Sequence, residues 1–380
     1  MPRRWRSATS ASSARPSPAR GCRSWHAHRM VSDASTPLRS GGDADPRVTV
    51  VIPLHDRGRY IAETMRSVLA QRFARIEVIV VDDASTDDGP DVVRGFLDDP
   101  RVTLVLRSHG GAAAARNAGA AFAAGSSEFI AFMDDDDVCE PALISALVEA
   151  LEAHPAASGA FARGEYIDAD GGPMHGRAFR SQMVSREELG LADGAVSGHY
   201  RGIDQVFLAT PVVPMGALLV RRSAYEATGG FDPTFAVGQD WDFTIRLARR
   251  APLVVVDRAL VRYRRHSGNA SGNHARNVRT VRRIWATAYY SGENTRADAA
   301  LLARVWRTHQ RRTSVRKIAQ GRALLARGRL VEGLVRIADG LAHRALLRPL
   351  RRWRRPVPGS VGVAEHRTIA VERGLVGTAR

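Results

Sequence analysis

The sequence predicts a doubly wound α/β domain with a mostly parallel sheet, followed by a basic α-helical C-terminal region. Three observations predict it. Short β-branched runs at 48–54, 76–81, 102–106 and 129–133 alternate with stretches of helical periodicity, the order that builds βαβ units with right-handed crossovers. The runs are apolar on both faces, as parallel strands covered on two sides must be. Two of them end abruptly in carboxylates, Asp82-Asp83 and the four residues Asp134, Asp135, Asp136 and Asp137, at the strand ends where open α/β sheets hold their ligands.

Each element has its own signal. The first run, Val-Thr-Val-Val-Ile-Pro-Leu, reads as a buried strand ending at Pro53. Tyr60, Ile61, Thr64, Val68 and Leu69 fall at helical spacing, which predicts a helix over 59–71. After the second strand (76–81) comes a short helix at 91–97, and after the third (102–106) a helix over 110–125. That helix is almost all Ala, with Arg116 and Asn117 in its first half, and its small residues permit close packing on a sheet. A helix over 142–153 follows the fourth strand. From 155 to 213 the pattern loosens into short strands around Ala160 and Tyr166, a Gly-Gly turn and polar segments; such chain beside a ligand-binding sheet suits a second substrate. Order returns with a strand at 215–220, a helix at 223–228, the turn Gly229-Gly230-Phe231-Asp232, a helix at 241–250 and a strand at 253–256 leading to Tyr263-Arg264-Arg265-His266. Beyond 275, segments 299–305, 315–325 and 330–347 space apolar residues by three or four with Arg between them. They predict three or four basic amphipathic helices, with a hairpin around Gly328. The expected organisation is a disordered Arg/Ser-rich leader (1–46, with Met30 as an alternative initiator), a catalytic domain (47–274), a helical region (275–355) and a poorly ordered tail (356–380).

A net charge of +17 is unevenly spread. Residues 1–46 carry +5 and residues 275–380 carry +18, which leaves 47–274 at −6. An acidic central domain without a zinc, helix-turn-helix or RNA-recognition motif argues against nucleic acid as the partner of the Arg-rich ends. Lys317 is the one lysine among 56 basic residues, a bias we read as GC-rich coding. Cys22 and Cys139 make no disulfide framework, which suits a reducing cytoplasm. No apolar run reaches the ~18 residues needed to span a bilayer. For the basic C-terminal helices two readings stand: Arg-coated helices packed on the domain, or a surface resting on anionic headgroups at the inner face of the plasma membrane.

Four adjacent carboxylates repel one another by about 1 kcal/mol per neighbouring pair even in water. One reading is a solvated acidic loop; the other is a site for a compensating cation. Carboxylate oxygens are hard ligands that suit Mg²⁺ or Mn²⁺, with substrate phosphates completing the shell. A third acidic point, Asp240 in Gly238-Gln239-Asp240-Trp241-Asp242, follows further along the chain, and His266 lies just past the last strand. Taken singly, an Asp-Asp pair is a turn or helix cap and a His in an Arg-rich segment is a surface residue. Together, along one alternating sheet, they form a candidate site.

Seven stretches then carry a resemblance: Val50-Val-Ile-Pro-Leu54, Ile79-Val-Val-Asp-Asp-Ala-Ser-Thr-Asp87, Ala115-Arg-Asn-Ala-Gly119, Phe132-Met-Asp-Asp-Asp-Asp137, Gly229-Gly-Phe-Asp232, Gly238-Gln-Asp-Trp-Asp242 and Tyr263-Arg-Arg-His266. In this order they resemble a family-two glycosyltransferase with the nucleotide-sugar-binding GT-A fold, over residues 48 to about 273. The resemblance implies roles. Asp83 would bind the nucleotide base, with Pro53 and His55 against the nucleoside and Arg116 facing the donor; as a plain surface residue on an Ala-rich helix, Arg116 has a second reading. The family's Asp-x-Asp motif falls on Asp134 and Asp136. Asp136 would ligate the metal, Asp134 or Asp135 would reach ribose or a metal-bound water, and His266 would complete the metal shell. Asp240 aligns with the catalytic base. The implied chemistry is inverting, metal-dependent transfer from a nucleotide-diphosphate sugar, UDP-sugars being the commonest donors, to a glycan, lipid-linked or small-molecule acceptor. Relatives carry Glu-Asp where this chain has Gln239-Asp240, which puts the acceptor's identity in question. The processive-synthase motif Gln-x-x-Arg-Trp is absent, so a single transfer is expected. A nucleotidyltransferase is the nearest enzymatic alternative, but it needs a Gly-rich loop after the first strand, and Pro53-Leu-His-Asp-Arg-Gly58 has one Gly. A dinucleotide oxidoreductase would need Gly-x-Gly-x-x-Gly there.

Overall fold

A computed structural model describes residues 45–174, 197–200, 215–269, 274–292, 294–345 and 370–373. Nearly all of the expected leader, much of 155–213 and most of the expected tail lie outside the described residues.

Strand β1 (Val48–Leu54) is buried at every position and lies between two parallel neighbours, β2 (Ile76–Asp82) and β4 (Phe129–Phe132). β3 (Val102–Leu106) continues the parallel set beyond β2. The chain thus steps outward from β1 through β2 to β3, then returns to the other side of β1 as β4. That reversal opens a crevice at the carboxyl ends of β1 and β4, the topological switch point of such sheets. The register Leu54↔Asp82 and Val51↔Phe132 brings the residues after all three strands to one edge.

Helices cover both faces. On one, α1 (Gly58–Leu69) and α4 (Leu143–Ala153) bury Ile61, Met65, Val68, Leu143 and Leu147 against Val50, Ile52 and Val78, with the short α2 (Gly89–Arg94) adding Val93. On the other, α3 (Ala112–Ala121) lies so close to the sheet that a Cβ on Gly119 would sit 2.3 Å from Val51 Cγ1. Side chains are small there because the backbone itself is the packing surface.

The sheet does not stop at the parallel half. Its order is β10-β3-β2-β1-β4-β8-β6-β9-β5, with β7 (Ser197–Tyr200) on β9. β8 (Leu218–Arg221), β6 (Gly159–Ile167) and the two-residue β5 (Val138–Cys139) extend it with antiparallel pairs. The expected short strands near Ala160 and Tyr166 are one strand, β6, bulged between Ala162 and Gly164. β9 (Leu253–Arg264) runs well past the expected 256, because its partner β6 continues alongside it to Ile167↔Arg264. Residues 370–373, to which the sequence analysis assigned no element, pair with β3 as β10 (Ala370–Arg373).

α5 (Arg222–Thr228), α6 (Gln239–Arg250) and α7 (His274–Tyr289) complete the second face. Trp241, Trp285 and Trp306 join the core there, their rings meeting edge to face. The helices expected at 299–305 and 315–325 are a single one, α8 (Arg296–Leu325). No Gly or Pro interrupts 296–320, and the polar residues that blur its periodicity are buried against α9 (Leu330–Ala345) rather than marking a loop. The turn between them uses Gly328 at φ 73°.

Candidate active site

The edge beyond β1, β2 and β4 is held by side-chain bonds between loops. Asp87 accepts the Gly58 amide (2.8 Å) and Asp56 accepts Thr86 N (2.7 Å), while Ser85 Oγ takes the Asp56 amide (3.1 Å). Asp56 and Ala84 sit at φ 52° and 61°, left-handed positions that cost a side-chain-bearing residue about 1–2 kcal/mol each. The staples between the loops offset that cost.

Pro53 lies inside β1, opposite Val81, rather than in the loop after it. The β1–β4 ladder ends at Val51↔Phe132, so the N–H that proline lacks removes no bond to β4. His55 is half-exposed; its amide donates to Asp135 Oδ2 (3.0 Å) and its ring stands 4.7 Å from that of His109. Asp83 is buried and accepts from the amides of Gly110 (3.0 Å) and Gly111 (2.6 Å) and from Arg107, with His109 Nδ1 at 3.1 Å. In this arrangement Asp83 clasps the loop after β3. Asp82 beside it is pushed above the ordinary carboxylate range, chiefly by burial.

The four consecutive carboxylates fan out to four different partners. Asp134 pairs with Arg116, and Asp135 holds the His55 amide. Asp136 Oδ2 meets His266 Nε2 (2.8 Å), with Asn269 Nδ2 at 3.5 Å and Arg57 Nε at 3.6 Å. Asp137, fully buried, accepts the backbone amide of Arg264 (2.9 Å), and its carbonyl takes the Thr64 hydroxyl (2.8 Å). Burial pushes Asp134 up, and Asp135 and Asp137 well up; the neighbouring carboxylates add to this, and the Arg116 charge opposes it at Asp134. Crowding alone therefore does not require a metal, because the scaffold gives each anion its own partner.

Asp240 lies in the first turn of α6, two residues after Gly238, whose φ is 74°. Its Oδ1 accepts the Trp241 amide (2.9 Å). Burial raises its pKa, the Arg116 charge lowers it and the Asp134 charge raises it, so Asp240 lies within the field of the Asp134–Arg116 pair. Arg116 is buried, its guanidinium 5.5 Å above the Phe231 ring, and among the described residues its Nε and Nη1 have no hydrogen-bond partner. Two unsatisfied guanidinium N–H groups at a buried edge suit an anion. The Gly229-Gly230-Phe231 turn is structural: Asn117 binds the Phe231 amide and carbonyl (both 2.8 Å), and Phe231 stacks on Phe243 of α6 at 4.4 Å.

The pair Asp136–His266 is the fit for a divalent ion. Among the described residues no three His, Cys, Asp or Glu side chains converge to hold a metal. A two-residue edge is what Mg²⁺ or Mn²⁺ takes when phosphates and water supply the rest. The 2.8 Å contact is a hydrogen bond in this arrangement, and it places the two side chains near enough to share one ion. His266 Nδ1 accepts the Gly268 amide (3.1 Å), so the ring donates through Nε2; to hold a metal through Nε2 the ring would take the other tautomer.

The geometry thus joins His55, Asp134, Asp135, Asp136, Arg116, Asp240 and His266 along one edge, with Asp83 linked to His55 through His109. Sequence reasoning missed Arg57, Arg107, His109, Asn269 and Arg264. Arg264 is buried, bonds Asp136 O (2.9 Å) and Glu63 (2.6 Å), and stands 5.2 Å over the Tyr60 ring. Its signal was present in Tyr263-Arg-Arg-His266, where the histidine drew the attention.

Residues 49–229 match the family model described as Glycosyl transferase family 2. Among curated proteins, the chain is similar to the glycosyltransferase GlyG of Streptococcus pneumoniae (35% identical over 107 residues, 28% of this chain and 35% of that one). It is also similar to the succinoglycan biosynthesis protein ExoO of Rhizobium meliloti (38% over 112 residues, 29% and 31%). The similarity spans about a third of the length of these relatives. Among solved structures, S. aureus TarS 1-349 in complex with UDP-GlcNAc superposes with a TM-score of 0.56 at 18% identity, covering 69% of this chain and 72% of that one. The mannosyltransferase PcManGT of Pyrobaculum calidifontis, in complex with GDP-Man and Mn²⁺, gives 0.53 at 19%, covering 81% and 77%. The shared architecture is the GT-A fold.

Proposed function

We propose that this chain, a glycosyltransferase of family 2 by its residues 49–229, moves a single sugar from a nucleotide-diphosphate donor to an acceptor hydroxyl with inversion. The observation that carries the reading is the buried guanidinium of Arg116, which pairs with Asp134 through Nη2 while Nε and Nη1 have no hydrogen-bond partner among the described residues. That arrangement sets a partly buried carboxylate, Asp134, against a group suited to a diphosphate, with Asp240 near enough to feel both charges.

Asp240 accepts the proton of the acceptor hydroxyl as its oxygen attacks the anomeric carbon. The bond from that carbon to the diphosphate oxygen breaks, and the electron pair leaves with the nucleoside diphosphate. Attack opposite the leaving group inverts the centre in one displacement, and no second carboxylate is required as leaving-group acid, unlike in glycoside hydrolysis. Arg116 and Arg57 offset charge gathering on the departing diphosphate. Asp136 and His266 are the residues suited to hold Mn²⁺ or Mg²⁺, which when bound would neutralise the diphosphate oxygens. Asp83, Pro53 and His55 belong on the nucleoside side, and Asp135 supports the His55 amide there. UDP-GlcNAc in TarS supports a UDP-sugar, and GDP-Man with Mn²⁺ in PcManGT supports the metal.

The acceptor belongs to surface polysaccharide, glycolipid or glycoconjugate synthesis, a reading the resemblance to ExoO supports. Residues 47–274 form the transferase unit and 275–355 a basic helical appendage. Among the described residues no helix is long and apolar enough to cross a membrane; the cytoplasmic face of the membrane, reached peripherally, is the proposed location.

A donor panel with Mn²⁺, Mg²⁺ or chelator, followed by nucleotide-diphosphate release, tests the reading. One sugar nucleotide turned over with metal and not with chelator is expected, and Asp136→Ala abolishes its metal-dependent binding. Absence of turnover and binding across the whole panel sinks it.

A further inference from the structure

The hairpin of α8 and α9 packs a few aliphatic side chains between its helices and turns a larger aliphatic face outward. Leu330, Val331, Leu334, Val335 and Leu341 of α9 are 50–76% exposed, and Ala338 and Ala342 between them are exposed too. At about 100° per residue these seven positions span an arc of roughly 140° that contains no polar residue. The opposite side of α9 meets α8 through Gly333 and Gly340, where an added Cβ would come within 2.6 Å of Leu325 and 2.8 Å of Ile318, and within 2.9 Å of Gly321 O and 3.0 Å of Ser314 O. Within that close contact sits a polar chain. Lys317 Nζ donates to Asp339 (2.5 Å) and to His343 Nε2 (2.9 Å), and His343 Nδ1 donates to Gln310 Oε1 (2.6 Å). Hydrophobic burial does not explain an element that faces its aliphatic arc outward and its amine, imidazole and amide inward.

Charge says what covers the arc. Residues 306–345 hold ten basic side chains and two acidic ones. Arg307, Arg311, Arg312, Arg316, Arg322, Arg327, Arg329 and Arg344 are exposed, against Glu332 as the one exposed acid of that stretch. The sequence that follows, Leu-Leu-Arg-Pro-Leu-Arg-Arg-Trp-Arg-Arg over 346–355, adds five Arg and no acid. A second copy docked on the arc would bring two strongly positive hairpins together within about a Debye length. An anionic bilayer supplies both the counter-charge and an apolar layer for the aliphatic arc.

We propose that the exposed face of α9 is a membrane-docking surface that lies in the headgroup plane of an anionic bilayer and holds the transferase unit against it. The proposal is independent of the donor site, so vesicle binding and sugar transfer can fail separately. The test is flotation of the full-length chain with vesicles of phosphatidylcholine alone and of phosphatidylcholine mixed with phosphatidylglycerol, beside the exposed-site variant Leu334→Glu/Val335→Glu. The native chain is expected to float with the anionic vesicles and not with the zwitterionic ones. The double variant should keep the native circular dichroism and lose about tenfold or more of the partitioning, with Leu334→Ala/Val335→Ala between the two. A native chain that stays with the soluble fraction overturns the proposal, and so does a double variant that floats equally. A lipid-free dimer seen by light scattering, dissolved by the double variant, assigns the face to a second copy and overturns it too.

Discussion

The α/β unit and the C-terminal hairpin solve opposite packing problems. In the first, β1 is buried at every position and carboxylates gather at the rim of the sheet. In the second, Lys317, Gln310 and His343 are inside while Leu330, Val331, Leu334 and Val335 are outside. The difference teaches where each part finds its stability. The sheet draws on its own core, whereas the hairpin interior combines a few aliphatic contacts of Ile318, Leu325 and Ile337 with close backbone approach and a hydrogen-bonded polar chain, leaving its outer aliphatic surface uncovered among the described residues.

The sharpest break between the two regions is catalytic. Asp240→Asn is expected to lower sugar transfer by about 10²–10⁴-fold while calorimetry still detects the donor; loss of donor binding as well would contradict its assignment as base. Core truncation comes next. Ile52→Ala should cost about 2–5 kcal/mol by denaturant unfolding, because the residue is fully buried in β1. Leu334→Ala on the exposed arc should stay within about 0.5 kcal/mol. Equal costs would erase the contrast.

Two smaller effects sharpen it. Burial raises the Asp240 pKa, and the base acts when deprotonated, so transfer should fall as pH drops through a midpoint above the ordinary Asp value of about 3.9. A profile flat down to that value would place the proton elsewhere. Cys139, buried beside Ser67 and Gln71, has its thiol pushed up to about 11 by burial. In a Cys22→Ser background the folded chain should resist thiol reagents near pH 8 and label only on unfolding; rapid labelling of the native chain would show that the edge near β5 opens.

Much of this was legible beforehand for identifiable reasons. The parallel strands announce themselves because burial on both faces demands unbroken β-branched runs, and their terminal aspartates mark the ligand edge. Element lengths were less legible. β9 runs on to Arg264 because β6 lies beside it, and α8 is continuous because α9 buries Gln310 and Ser314, partners far away in the sequence. Of the four aspartates, spacing could not tell Asp137, which holds the Arg264 amide, from Asp136, which faces His266.

By itself the sequence determined the alternating architecture, the acidic edge and the basic helical end, since these follow from local periodicity and side-chain type. Only the tertiary structure decided that Arg116 would pair with Asp134, that Asp83 would clasp Gly110 and Gly111, and that α9 would turn its leucines outward. The physical reason is range. A hydrophobic period is written within one element, but a buried charge is settled by whichever distant partner the fold brings within hydrogen-bonding distance.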